Sequence, residues 1–206
     1  MNQKIYDRNY FEYGLQKGIS GYKNYHWLPD RTWREARAII NHLGLKPKSK
    51  VLDFGCARGY MVRALRDYNI NAYGVDISQY ALDNCDLAVW KYLDYRIQHQ
   101  YYDAIIARNT LEHLTKGELK KTLLDFKRRT DLVFFTVPVC RKDKSKYIIP
   151  IAEKDITHQI RWTTSSWMDF CSKCGWHSVK CDYEVQGIHE GWESYKDGIG
   201  FFILRK

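Results

Sequence analysis

The stretch KVLDFGCARGYM, residues 50–61, constrains the fold of this chain more than any other, because an apolar run breaks off into glycines. Residues 51–54 are predicted to form a buried strand, and Gly55 and Gly59 mark a tight turn. Helical spacing of apolar residues then begins at Met61. A strand, a turn of small residues and a helix make the first half of a βαβ unit. The stretch therefore predicts a sheet of mostly parallel strands.

The same alternation of strands and helices continues along the chain. Further strands are predicted at residues 71–76, 102–107, 131–138, 177–185 and 199–206. Helices are predicted at residues 30–43, 61–68, 115–129 and 165–174. Asp30 is the expected N-cap of the first of these helices and Gly44 its end. The pattern predicts one α/β domain over residues 1–206, with helices on both faces of the sheet.

Two segments carry less clear patterns. Residues 78–100 begin as a helix, and residues 87–93 within this region fit either a strand or the end of a helix. Residues 1–30 are polar and aromatic, which favours an N-terminal arm or lid over a core element, with Tyr22, Tyr25 and Trp27 as its candidate contacts.

Composition narrows the class of protein. Hydrophobic residues make up 45% of the 206, enough for a core. No stretch reaches the ~18–20 apolar residues of a membrane helix, and the first residues lack the apolar segment of a secretory signal. The six cysteines are scattered through apolar contexts, which predicts reduced thiols and a cytoplasmic location.

The segment CSKCGWHSVKC offers a possible zinc site. It places Cys171, Cys174, His177 and Cys181 at a spacing that suits this metal. However, Cys171 and Cys174 fall on core-like positions of a predicted helix, so buried free thiols are the favoured interpretation.

The formal net charge of +9 allows several partners. Nucleic acid, an acidic small molecule or only a solvated surface would each fit. Because the basic residues are spread along the chain, and the run at residues 116–129 fits the exposed face of a helix, nucleic acid is possible but not favoured.

An acidic residue follows the second predicted strand. Asp76 stands at its end, where a carboxylate can accept hydrogen bonds from both hydroxyls of a ribose. Alone, such an acid is usually a helix cap. Together with the glycine turn of the first strand, it predicts a nucleoside ligand at this edge of the sheet.

Three motifs in order resemble those of class I S-adenosylmethionine-dependent methyltransferases, over about residues 30–206. VLDFGCARG resembles the first motif, with Ala57 in place of the middle glycine, and GVDIS resembles the second. YDAIIARNTLEHL resembles the fourth strand and its loop, including the Leu-Glu-His signature. The resemblance implies a Rossmann-like, doubly wound sheet of seven strands, mostly parallel with the last strand antiparallel. It points to small-molecule and sugar O-methyltransferases.

The same resemblance implies a cofactor site for S-adenosylmethionine. The backbone of Gly55, Cys56, Ala57 and Gly59 would hold the methionine portion, and Asp53 would place its amino group. Asp76 would bind the ribose, Ile77 would pack on the adenine and Asn109 would lie beside the sulfonium. The polar residue that reads the adenine is not evident from the sequence, and Asp94 is one candidate.

The methyl acceptor is predicted to be a sugar or another small hydroxylated metabolite. A hydroxyl acceptor calls for a base, and histidine is the usual one. His113 follows the fourth strand, and His158 lies in residues 139–162, an insert expected to form the acceptor wall. Each histidine could instead be structural. Metal held by Glu112 and His113 is the less favoured interpretation, because Asn109 stands where an acid would be expected. RNA or protein methylation, and cofactor binding without turnover, remain alternatives.

Overall fold

The computed structural model describes residues 3–183, 185–188 and 195–206. Within this part of the chain, seven strands form one sheet. They are β1 (Lys50–Phe54), β2 (Asn71–Val75), β3 (Leu93–Asp94), β4 (Ala104–Arg108), β5 (Leu132–Pro138), β6 (His177–Asp182) and β7 (Ile199–Arg205). Their order across the sheet is β3-β2-β1-β4-β5-β7-β6.

The strand directions confirm the predicted topology. β1 pairs in parallel with β2 and β4, β2 with β3, and β4 with β5. β7 runs antiparallel to both β5 and β6. The ambiguous residues 87–93 become a short 3-10 turn, Trp90–Tyr92, followed by the first residue of β3. The strand predicted at residues 177–185 ends at Asp182, and Glu184 lies outside the described residues.

Helices cover both faces of this sheet, as predicted. The described helices are α1 (Arg8–Glu12), α2 (Gly14–Lys17), α3 (Pro29–Leu43), α4 (Tyr60–Asp67), α5 (Gln79–Asp83), α6 (Lys116–Arg129) and α7 (Thr164–Lys173). On one face, α3 and α4 bury side chains such as Ile39 and Leu65 against β1 and β4. On the other, α6 and α7 bury Leu123 and Trp167 against β5 and β7.

The start of α3 differs from the prediction. Leu28 is the N-cap and Pro29 the first helical residue, because proline has the φ of a helix and lacks the N–H that the first turn leaves unpaired. Asp30 therefore lies inside the first turn, where its charge favours the helix dipole without capping it. The predicted end is confirmed, since Gly44 takes φ 65° at the C-cap.

The N-terminal arm packs through aromatic side chains against α5 and the turn after β1. Tyr6, Tyr10 and Phe11 are buried together with Ala81 of α5. Arg58, in the turn after β1, forms an ion pair with Glu12 of the arm and donates to the Tyr25 carbonyl at 2.7 Å. These contacts place the arm over the carboxyl ends of the strands.

The structure bears on the cysteines and on membranes. All six cysteines are free thiols, and Cys171 and Cys174 are buried as expected. Within the described residues, the one group of side chains that could hold a metal contains no cysteine. None of the described helices combines the length and the apolar character needed to cross a membrane.

Candidate active site

The direction of winding changes between β1 and β4, and a crevice opens there. The chain passes from β1 outward to β2 on one side and from β4 outward to β5 on the other. In doubly wound sheets, ligands bind outside the carboxyl ends of the strands at such a point. A first cavity of about 310 Å³ and a second of about 220 Å³ lie at this edge. Both are lined by Tyr22, Gly55, Ala57 and Asn109, so they are two halves of one crevice.

The turn after β1 brings main chain to the wall of the crevice. Gly55 has φ 80°, and a Cβ there would lie 2.3 Å from Thr110 Cγ2, so only glycine fits. Ala57 also takes a left-handed conformation, with φ 48°. The N–H groups of Gly55 and Cys56 donate to the Val75 carbonyl at 2.8 and 3.1 Å. The turn thus offers a ligand close approach of the backbone, while these two donors are already used.

Gly59 has a different place from that of the other turn residues. It is the N-cap of α4 with φ 77°, and a Cβ there would lie 2.6 Å from Leu93 Cδ1. Gly59 and His158, both within the described chain, line neither cavity. Gly59 therefore allows α4 to start close against β3.

Asp76 closes the turn from the neighbouring strand. Its Oδ2 accepts from the Ala57 N–H and its Oδ1 from the Ser78 N–H, both at 2.8 Å. Burial raises its pKa, and the hydrogen bonds from the main chain oppose this shift. Asp76 lines the second cavity beside Ile77, whose side chain is 38% exposed there.

The far wall of the second cavity differs from the expectation. Asp94 ends β3, but its Oδ1 accepts from the Arg96 N–H at 3.1 Å, and it lines neither of the two cavities described here. Tyr95 and Ile97 form the wall instead. A flat apolar group between Ile77 and Ile97 would therefore be held by packing.

The first cavity contains a buried group of charged side chains. Asp53 of β1 and Arg108 of β4 both line it, and Arg108 forms an ion pair with Glu35 of α3. Glu35 also accepts from Arg31 Nε at 3.0 Å. Burial raises the pKa of Asp53 to about 6, and the positive charge of Arg108 limits this rise.

Asn109 stands at the junction of the two cavities, directly after β4. It adopts φ 49°, which asparagine tolerates better than most residues. Its N–H donates to the Thr136 carbonyl at 2.8 Å, and its side-chain oxygen accepts from the Thr136 hydroxyl at 3.2 Å. Its position is therefore fixed by β5.

The two predicted histidines lie together at this edge. Their ring centroids are 4.6 Å apart, and His113 lines the second cavity. His113 Nδ1 is 2.7 Å from the Thr157 hydroxyl, which donates its own hydrogen to Asp155. Nδ1 therefore carries the proton in this arrangement. Burial, aided by His158, lowers the pKa of His113 to about 4, so the ring is neutral at pH 7.

Glu112 lies behind the histidines and is fully buried. Neither of its carboxylate oxygens has a hydrogen-bond partner among the described residues, and His158 Nε2 is 4.0 Å from Oε1. Burial raises its pKa well above the usual range, and Asp155 adds to the shift. Glu112, His113 and His158 each offer a possible ligand atom within 4.8 Å of the others, a set that suits a divalent transition metal.

Comparison with known proteins identifies the family. The family described as "Methyltransferase domain" matches residues 26–180. The chain belongs to this family. A search of curated proteins found no match to the sequence of this methyltransferase.

Solved structures of similar shape agree. A SAM-dependent methyltransferase from Archaeoglobus fulgidus has a TM-score of 0.65 and 16% identity, covering 85% of this chain and 94% of its own. A SAM-dependent methyltransferase from Clostridium acetobutylicum has a TM-score of 0.62 and 10% identity, and the match covers 84% of this chain and 90% of that one. A Haemonchus contortus phosphoethanolamine N-methyltransferase in complex with S-adenosyl-L-methionine has a TM-score of 0.64 and 17% identity. The match covers 84% of this chain and 52% of that one.

S-adenosylmethionine is therefore the cofactor of this methyltransferase, and the donor set of the crevice fits it. The cofactor combines a zwitterionic amino-acid tail with a ribose and a flat adenine. The first cavity offers an anion and a cation, and the second offers a carboxylate between apolar walls. Their volumes together lie within the range usual for ligand sites.

Sequence reasoning missed Arg108, Glu35 and the contact of Tyr10 with Asp155. One signal was available: Glu35 interrupts the apolar face of α3 next to Ala36, and Arg108 ends an otherwise apolar strand. A charged residue at a core position predicts a buried partner. Tyr10 donates to Asp155 Oδ2 at 2.7 Å across the chain, and no local pattern indicates such a contact.

Proposed function

We propose that this methyltransferase methylates a hydroxyl of a sugar or another small hydroxylated metabolite, with His113 as the base. One observation carries the proposal: His113 lines the crevice, and its ring is held by the Thr157 hydroxyl, 2.7 Å from Nδ1. The cofactor supplies a methyl carbon that its sulfonium already activates. What the chain must add is alignment and removal of the acceptor proton.

The second nitrogen of His113 is the proton acceptor in this proposal. Nε2 has its lone pair available when Nδ1–H donates to Thr157. Taking up the acceptor's proton would give an imidazolium whose Nδ1–H stays directed at the Thr157–Asp155 pair. Asp155 also accepts a hydrogen bond from the Tyr10 hydroxyl, so the N-terminal arm helps to hold the hydrogen bonds that link His113, Thr157 and Asp155.

His158 takes the part of a supporting residue. Its ring packs against His113 and against Tyr147, at centroid distances of 4.6 and 5.3 Å. Its Nε2 lies 3.9 Å from Asp155 Oδ2. None of residues 139–162 lines either cavity, so we assign this insert to holding His113 through Thr157 rather than to a wall of the acceptor site. Residues 1–30 serve as the lid.

The cofactor contacts follow from position in the crevice. Asp76 receives the ribose hydroxyls and Ile77 packs on the adenine, while Asp53 takes the amino group. Gly55, Cys56 and Ala57 let the methionine portion approach the main chain, and Asn109 lies beside the sulfonium. We assign Gly59 to the packing of α4 only. The free thiols are consistent with a cytoplasmic enzyme.

Two alternatives stay open to test. The net charge of +9 suggests RNA or protein as a second class of acceptor. A chain that binds the cofactor without turnover would have the same crevice. Small molecules are preferred here because the basic residues are spread along the sequence rather than gathered in one stretch.

Calorimetric titration with S-adenosylmethionine, followed by an assay for S-adenosylhomocysteine with pools of acceptors, tests the proposal. Product with sugars or small hydroxylated metabolites is expected. Product with structured RNA or protein alone would overturn the acceptor class, and binding without product in any pool would favour the non-catalytic alternative. Asp76→Ala should weaken binding by about 10- to 150-fold, the scale of hydrogen bonds to a charged group. That result would place the ligand in this crevice.

A further inference from the structure

We infer that Arg108 binds the α-carboxylate of the cofactor's methionyl tail, and that Glu35 positions the guanidinium for this contact. The first observation is where Arg108 lies. Asp53 is opposite Ile106 in the parallel register, and Arg108 follows Ile106 by two residues on the same face of β4. Both charged side chains therefore reach the first cavity from neighbouring strands.

The second observation is the hydrogen bonding of the guanidinium. Nη1 of Arg108 pairs with Glu35 Oε2, which fixes one side of the group. Nε is buried and has no partner among the described residues. Buried guanidinium donors are normally satisfied, and a carboxylate accepts two parallel N–H bonds from one guanidinium edge. A carboxylate in the cavity would supply the missing acceptor.

The third observation is the balance of charge. Arg108, Arg31, Glu35 and Asp53 give the first cavity two charges of each sign, and the exposed Lys23 adds a third positive charge to its lining. A zwitterionic tail adds one charge of each sign. If Asp53 takes the ammonium, Arg108 is the buried cation that remains on the same wall for the carboxylate. Burial disfavours the charge of Arg108, but Glu35 and then Asp53 outweigh this and raise its pKa.

A contact between Arg108 and the carboxylate would make the site selective for ligands that carry the amino-acid tail. A nucleoside that lacks the amino-acid tail gains nothing from Arg108, whereas a ligand with the tail gains a charge-assisted pair. A purely structural Arg108, tying α3 to β4 through Glu35, would affect both kinds of ligand equally. The two roles are therefore separable by ligand.

The test compares the affinities of S-adenosylhomocysteine and 5′-methylthioadenosine, which has no amino-acid tail, for wild type and Arg108→Gln. We expect the variant to lose about 10- to 150-fold in affinity for S-adenosylhomocysteine and none for 5′-methylthioadenosine. Arg108→Lys, which keeps the charge and loses the fork, should show a smaller loss for the first ligand only. Glu35→Gln should act in the same direction as Arg108→Gln.

Arg129→Gln is the matched control. Its side chain is 26% exposed, against 21% for Arg108, and it pairs with Asp125 at 2.8 Å on α6. It should bind both ligands as wild type does. Equal losses for both ligands in Arg108→Gln and Arg108→Lys, or unchanged binding of S-adenosylhomocysteine, would overturn the inference. Binding of 5′-methylthioadenosine also reports that the variant is folded. Both ligands are unreactive, so a wrong acceptor or base would leave the outcome unaffected.

Discussion

Two buried polar groups flank Asn109 at the end of β4, and they differ in how their charges are satisfied. In the group of Asp53, Arg108 and Glu35, each charged side chain faces one of opposite sign. In the group of Glu112, His113 and His158, burial pushes every pKa toward the neutral form. Pairing allows buried groups to stay ionised, and its lack makes them neutral. One half of the crevice thus suits a zwitterion, and the other suits proton transfer.

The strongest test of this division is His113→Ala. Removal of a general base should lower kcat by about 10²- to 10⁴-fold, because the acceptor then keeps its proton. The affinity for S-adenosylmethionine should be retained, since Asp53, Arg108 and Asp76, the charged groups assigned to the cofactor, are untouched. Turnover is measured with the acceptor that the pool assay identifies, and cofactor affinity is measured by calorimetric titration.

His158→Ala and His42→Ala give the comparison for this variant. His158 supports the ring of His113, so its loss should lower kcat by a smaller factor. His42 lies on α3 and bonds the Gln186 carbonyl at 3.3 Å, outside both cavities, and its variant should match wild type. If neither His113→Ala nor His158→Ala lowers turnover, the base is another group.

A second test uses the pH dependence of cofactor affinity to examine the group of Asp53, Arg108 and Glu35. Because the pKa of Asp53 is raised to about 6, its carboxylate becomes protonated as the pH falls through 6 and can no longer accept from the cofactor's ammonium. We expect affinity for S-adenosylmethionine to weaken by up to about tenfold per pH unit below 6. Asp53→Asn should bind more weakly at pH 8 and lose this dependence. A wild-type affinity that is constant from pH 5 to 8 would remove Asp53 from the amino-group site.

A third test uses the pH dependence of the free energy of unfolding to examine the group of Glu112, His113 and His158. The pKa of Glu112 is raised in the folded state, so folded chains keep a proton that unfolded chains release above about pH 4.5. The contribution of Glu112 to the free energy of unfolding should then fall as pH rises above 4.5, by up to about 1.4 kcal/mol per unit until the raised pKa is reached. Glu112→Gln cannot titrate, so the difference in the free energy of unfolding between wild type and this variant should carry this slope. Urea unfolding at pH 5 and 8 measures this, and parallel profiles for the two proteins would contradict the assignment.

These differences explain which parts of the site could be predicted. The mostly parallel strand directions follow from a regular alternation of strands and helices, and the structure confirms them. The glycine turn and Asp76 are recognised from residues close in sequence, and the structure brings them together. The partner of Arg108 comes from α3, and the partners of His113 come from the insert. Such pairs depend on how separate elements pack. No local pattern contains that information.

The smallest effect is expected from metal removal, and it tests the neutral character of the second group most directly. A metal held by Glu112, His113 and His158 would require an ionised Glu112 and would make this group as charged as the one at Arg108. We favour the neutral state because the proposed base uses the Nε2 lone pair of His113, which a bound metal would occupy. We therefore expect turnover to be unchanged after dialysis against a chelator, and unchanged again on adding Mg²⁺, Mn²⁺ or Zn²⁺. The contrary result would be a loss of activity on treatment with a chelator that one of these ions reverses, and that does not occur in Glu112→Gln. It would show that both halves of the crevice are ionic.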